Sequence, residues 1–195
     1  MPDLDKFCKE LNAHTDAFEC EVRTAYSMLV LPYWGSDLHG FPQTLYGYMM
    51  AVFSRIDLLS SYWKGNAATR GQTPRMIHFM DKYISPNHEA NSVAVQMWRH
   101  KLMHTSEPRY LFNVRTGKYY GWLLHWWEHL PLEQHYTFTE TSDSRILNLG
   151  LVYLIEDYKV GLREYLSDLA ETPELQNNVD KVQAEITTYE FRVIH

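Results

Sequence analysis

The sequence predicts a mainly helical single domain of 195 residues with a small antiparallel sheet inserted after its first four helices. Three observations predict this class. Apolar residues recur at three- and four-residue steps over most of residues 3–98, the period of amphipathic helices. An aromatic, partly alternating stretch then occupies 109–141, and helical periodicity returns beyond Ser144. No repeat, low-complexity tract or linker divides the chain, so a bundle (1–108), a sheet insertion (109–141) and two C-terminal helices (144–190) are expected to share one domain.

The first helix is expected over 3–31, with Leu4, Phe7, Cys8, Leu11, Phe18, Val22, Ala25 and Leu29 on its apolar side. Pro32 and Trp34-Gly35-Ser36 end it. A second helix from Pro42 to about Lys64 buries Leu45, Met49, Val52, Phe53, Ile56, Leu59 and Trp63, and Gly65 stops it. Met49, Met50, Met76 and Met80 read as core gap-fillers. Thr73-Pro74 supplies a cap and a first-turn proline for a third helix that stops before Pro86. A fourth starts between Asn87 and Asn91 and carries Val93, Met97 and Trp98. Thr116-Gly117 places a turn between two strands, and His135 to Thr141 reads as a third strand with Tyr136 and Phe138 on one face. Thr172-Pro173 starts the last helix.

Composition excludes several classes. There is no run of eighteen apolar residues and no basic-then-apolar leader at the N-terminus, so no membrane contact and a cytoplasmic location are expected. Cys8 and Cys20, placed on one helix, stand roughly 18 Å apart and are expected to be reduced thiols. A formal charge of −6 argues against a protein that coats nucleic acid generally, while leaving room for a local basic patch. The glycines form no phosphate-cradling loop and no nucleophile elbow.

The strongest constellation is Met97-Trp98-Arg99-His100-Lys101-Leu102-Met103-His104, at the expected end of the fourth helix. A guanidinium neutralises phosphate through paired hydrogen bonds, and an imidazole moves a proton to or from a ribose hydroxyl near neutral pH. Together they suit RNA phosphodiester cleavage without a metal, so no cofactor is expected. On an ideal helix Arg99 and His104 point about 140° apart, and they converge only where the helix loosens before Pro108. His100 and His104 share a face. Downstream, Lys101, Arg109, Arg115 and Lys118 interleave with Tyr110, Phe112, Tyr119 and Tyr120. That mixture of cations and rings suits single-stranded RNA. The plain alternatives are an arginine and histidine that cap helix carbonyls, and a half-buried hairpin with one solvated side.

Arg99, His100 and His104 resemble the Arg-x4-6-His motif of the HEPN superfamily, whose arginine is often followed by a polar residue. The resemblance is best over residues 42–108. It implies a helical bundle of about four helices, with the sheet and C-terminal helices as an elaboration. It also implies a metal-independent ribonuclease of a bacterial toxin or defence system, acting as a homodimer with two motifs facing one cleft and held by an antitoxin partner. Arg99 would then bind the scissile phosphate, His104 serve as general acid or base, and His100 assist orientation. Other members are non-catalytic binding or assembly domains for protein, nucleotide or RNA, which is the alternative for this chain.

A competing motif, His125-Trp126-Trp127-Glu128-His129, spells the inverted zinc-peptidase pattern H-x-x-E-H. Zinc hydrolysis by His125, Glu128 and His129 needs a continuous helix and a third ligand. Pro131 follows closely and Tyr119 to Leu124 reads as strand, so these histidines are expected at a strand end. His135 or Glu140 would complete such a site, although no spacing specifies either, and His135 reads as a surface strand residue. Arg55 and Asp57 interrupt the second helix's apolar character, and Asp57 is placed to orient Arg99 or His104 or to stand as a plain surface acid.

Overall fold

The computed structural model describes residues 4–33, 42–99, 110–126 and 130–187. Helix α1 (Leu4–Ala25) lays Phe7, Thr15, Phe18 and Val22 into the core at the expected spacing. It continues into a π-helical turn (Tyr26–Val30) and a 3-10 turn (Leu31–Tyr33). The wider π turn advances the buried stripe, so Tyr26 and Val30 go inside while Leu29 is exposed. This corrects the expectation that Leu29 is buried. Cys8 and Cys20 are free thiols, and burial pushes the Cys8 thiol up.

Helix α2 (Pro42–Lys64) stops where Gly65 takes a left-handed conformation, φ 66°. A side chain there would collide with Asn178, whose Nδ2 donates to the Trp63 carbonyl and closes the end of α2 (2.9 Å). Helix α3 (Gln72–Tyr83) follows Gly71, and α4 (His88–Met97) is capped by Asn87 Oδ1, which accepts from the Ala90 N–H (3.1 Å). Trp98 and Arg99 extend α4 as a π turn. Helix α5 (Leu151–Glu171) approaches α3 so closely that a Cβ on Gly161 would strike the Tyr83 carbonyl. Helix α6 (Pro173–Thr187) begins at the expected Thr172-Pro173 restart.

The sheet differs from expectation. It has four strands, β1 (Leu111–Asn113), β2 (Lys118–His125), β3 (Phe138–Glu140) and β4 (Ser144–Gly150), in the order β1-β2-β4-β3. The flanking pairs are antiparallel, but the central pair β2–β4 is parallel, with Tyr119 opposite Ser144 and His125 opposite Gly150. The antiparallel, roughly three-stranded sheet expected over 109–141 is therefore corrected to a mixed sheet that runs to Gly150. Strand β4 escaped notice because a central strand covered on both sides reads as a continuous apolar run. Ile146-Leu147-Asn148-Leu149 merged with the periodicity of α5, which follows without a loop.

Pleat alternation sorts the strands into two faces. Tyr120, Trp122, Leu147 and Leu149 are buried. Trp122 meets Phe53 of α2 (ring centroids 6.0 Å), and Phe53 stacks on Trp98 (6.0 Å, 23°). The sheet thus lies on the helices as one continuous core. Among the described residues no helix is long and apolar enough to cross a membrane.

Candidate functional site

Arg99 lies half-buried at the end of α4, and its Nη1 donates to Thr73 Oγ1 in the first turn of α3 (2.9 Å). Thr73 is free to accept because it is not the cap. Gly71, at φ 82°, breaks the chain into α3, and Gln72 begins the helix while sending Nε2 to Asp57 Oδ2 (2.6 Å). This corrects the expectation that Thr73 caps α3. The capping role passed to the residue that adopts a left-handed backbone at no steric cost.

Arg99, like half-buried Arg55, has no carboxylate within salt-bridge distance among the described residues, whereas Arg75, Arg145 and Arg23 are paired. Arg75 donates to Asp57 Oδ1 (2.9 Å), Ser60 Oγ (3.2 Å) and the carbonyls of Asn66 (2.8 Å) and Ala68 (3.0 Å). Arg145 bonds Glu89 and Glu140, and Arg23 bonds Glu19 and Glu156. Asp57 therefore does not orient Arg99. Its carboxylate is held by Arg75 and Gln72, and the arginine it serves fastens the α2–α3 loop. Arg55 lies over the Phe18 ring, 4.0 Å from its centroid.

The electrostatics at Arg99 run against the usual rule. Helix N-termini carry partial positive charge and favour anions, whereas cations favour C-termini. Arg99 brings a guanidinium to the N-terminal turn of α3, and Arg70, just before that helix, is exposed. Asp57, which accepts from Gln72 at the start of α3, is matched by Arg75. Arg70 is not singled out by the sequence, and Thr73 reads there only as a helix cap. No local signal marks Thr73, since its role depends on a helix 26 residues away.

His100, Lys101, His104 and Arg109 lie outside the described residues. Arg115 is exposed in the β1–β2 turn. Lys118 sits on the helix-packed side of the sheet and pairs with Glu140 (3.4 Å), whose carboxyl is held below its usual range by Arg145 and Lys118. Tyr110, Phe112 and Tyr119 occupy the opposite, open face, where they are 59%, 54% and 48% exposed. Tyr120 is turned inward and donates to Glu89 at the start of α4 (3.1 Å). Arg99, which reaches α3 from the end of the helix packed under the sheet, and the three open-face rings thus belong to different surfaces.

The described members of the zinc constellation do not come together. His125 is the last residue of β2 rather than part of a helix, as its strand-like context implied, and Glu128 and His129 lie outside the described residues. Glu140 pairs with Arg145, five residues along β4 from Gly150, the partner of His125. That is roughly 17 Å of strand. His135 is not a surface strand residue: its side chain is 6% exposed. Its Nδ1 accepts from the Gly150 N–H (3.1 Å) at the start of α5, so its Nε2 carries the proton given to Asp157 (3.0 Å). Both ring nitrogens are committed to docking α5. Tyr136 follows at φ 61°, where strand alternation was expected, and burial pushes its phenol well up. Among the described residues no three His, Cys, Asp or Glu side chains are grouped to hold a metal ion.

No family model, curated protein or solved structure matches this chain.

Proposed function

We propose that the protein is a ribonuclease of the HEPN-like kind, in which Arg99 binds the scissile phosphate and no metal takes part. One observation carries this reading: Arg99 is a half-buried guanidinium at a helix N-terminus with a neutral hydroxyl as its partner and no carboxylate within reach among the described residues. A cation so placed is incompletely neutralised, and an oxyanion relieves both its charge and that of the helix end. Thr73 is the partner of one arm of the fork among the described residues, and the other N–H groups would serve phosphate oxygens.

In this mechanism His104 takes the proton of a ribose 2′-hydroxyl as its oxygen attacks the adjacent phosphorus. The 5′-oxygen leaves and takes up a proton, giving a 2′,3′-cyclic phosphate and a free 5′-hydroxyl. Arg99 stabilises the charge that builds on the phosphate oxygens, and His100 assists orientation. Lys101, Arg109, Arg115 and Lys118 supply further contacts to RNA. A homodimer would bring two such motifs to one cleft, with an antitoxin as the restraining partner.

The test is cleavage of single-stranded and structured RNA in excess chelator. Activity should persist, fall at least about a hundred-fold in Arg99→Ala and vanish in His104→Ala, with both variants folded. Activity that appears only when zinc is supplied and depends on His125 would overturn it. A second reading, a non-catalytic RNA-binding domain, is favoured by the placement of the exposed rings on a surface other than that of Arg99.

A further inference from the structure

We infer that the exposed β1–β2 part of the sheet's outward face is a stacking platform for single-stranded RNA, built from Tyr110, Phe112 and Tyr119 and distinct from the Arg99 corner. The three rings form one array across β1 and β2. Phe112 and Tyr119 are register partners with ring centroids 5.0 Å apart, and Tyr110 stands 6.4 Å from Tyr119 in an edge arrangement. Each ring remains about half exposed, which is unusual for aromatic side chains in mutual contact.

The platform is preformed. Tyr110 lies across Gly121, where an added Cβ would come within 2.9 Å of ring atoms Cδ1 and Cε1. Only a residue without a side chain lets the ring settle onto the sheet, so the chain has already met the entropy cost of ordering it. At the hairpin tip Asn113 Oδ1 accepts from the N–H groups of Arg115 (2.9 Å) and Thr116 (3.3 Å), fixing the turn that presents Arg115.

Charge separates an RNA strand from other occupants. In a chain of net charge −6, the outward positions of the four strands carry no acid. They are Phe112 on β1, Tyr119, Gly121, Leu123 and His125 on β2, Thr139 on β3, and Ser144, Ile146, Asn148 and Gly150 on β4. The one strand carboxylate, Glu140, points to the helix side, where Arg145 and Lys118 hold it. The rings themselves carry no charge. Arg115 stands in the hairpin turn at one end, and exposed Asp143, whose carbonyl accepts from the Tyr119 N–H (2.9 Å), stands at the turn into β4. The array thus offers flat π-faces for stacking, and unpaired bases match those faces. The array accommodates two or three bases, as sheet platforms of this size do.

This inference shares only its ligand class with the ribonuclease reading. The probe is a fluorescent 2′-O-methyl-RNA dodecamer, whose blocked 2′-oxygen cannot attack phosphorus, so binding is measured apart from cleavage. Anisotropy titrations should show wild-type binding that weakens about ten-fold in Phe112→Ala and in Tyr119→Ala, stays within about two-fold in Tyr119→Phe, and is weaker for the same sequence as a duplex. These side chains are exposed, and unchanged thermal melts confirm the folds. If ring-dependent binding is found but natural RNA is not cut, the ribonuclease reading fails and the platform stands. If RNA is cut with the same KM in all ring variants, the platform fails and the ribonuclease reading stands. Absence of wild-type binding, preference for the duplex, or a dimer that dissociates in Tyr119→Ala without RNA binding would each overturn the platform, the last in favour of a protein interface.

Discussion

Asp57 and Arg75 offer the sharpest energetic test, because the fold assigns Asp57 a partner that its sequence position did not reveal. The Arg75 side chain is 6% exposed and that of Asp57 24%, and they meet at 2.9 Å. Arg75 also holds Ser60 and the carbonyls of Asn66 and Ala68. Asp57→Ala would leave a buried guanidinium without its counter-charge, at a cost of about 3–5 kcal/mol. Asp57→Asn keeps an acceptor near Nη2 and should lose about half as much. Urea titration reads these costs as a midpoint lowered by roughly 1–2 M for the alanine variant. A double-mutant cycle between Asp57 and Arg75 should return at least about 1 kcal/mol of coupling, and one between Asp57 and Arg99 should return less than about 0.5 kcal/mol. The reverse ranking would refute the assignment and restore Asp57 as the residue that orients Arg99.

Three further outcomes are expected. Gly161→Ala forces α5 away from the Tyr83 carbonyl and should cost about 1–3 kcal/mol in chemical denaturation. His135→Ala removes the acceptor for the Gly150 N–H and the donor to Asp157, and should lower stability by about 1–3 kcal/mol with earlier amide exchange at the start of α5. Glu19 is held below its usual pKa by Lys159 and then Arg23. Its folded pKa lies below the unfolded one, so its stabilisation is present above the ordinary carboxylate range and is lost as pH falls through the folded value. Glu19→Gln should therefore flatten the acid limb of a melting-temperature profile.

What the sequence revealed follows from how local each signal is. The bounds of α2, the stop at Gly65, the turn at Gly117 and the restart at Pro173 all rest on residues whose own backbone preferences decide the outcome. The misses are non-local. Strand β4 is a strand because β2 and β3 flank it, while its apolar run in isolation continues the period of α5. Leu29 is exposed because a π turn shifts the stripe. His135 is buried because Gly150 and Asp157 each take one of its nitrogens. At the site, Arg99 and the open-face rings were both legible as chemistry, since residue type alone marks them. Their separation onto two surfaces was not, because it depends on which way β1 and β2 turn their side chains over α4.

That separation also resolves the tension between an acidic chain and an RNA ligand. The acids are concentrated on the long helices, as with Asp16 and Glu19 on α1 against Lys159 of α5, and Asp168 of α5 against Lys82 of α3. The outward strand positions carry none, Asp143 borders them at the turn into β4, and Arg115 is the cation in the β1–β2 turn among the described residues. Binding there must draw mostly on stacking, with few phosphates neutralised. Affinity should then fall only gently with salt, with a log–log slope of about −0.7 for each phosphate engaged on a single strand. Arg115→Ala should flatten that slope while leaving the ring dependence intact. A steep slope, of the size produced by many phosphate contacts, would mean a basic surface that the described residues do not form, and would move the interface away from the sheet altogether.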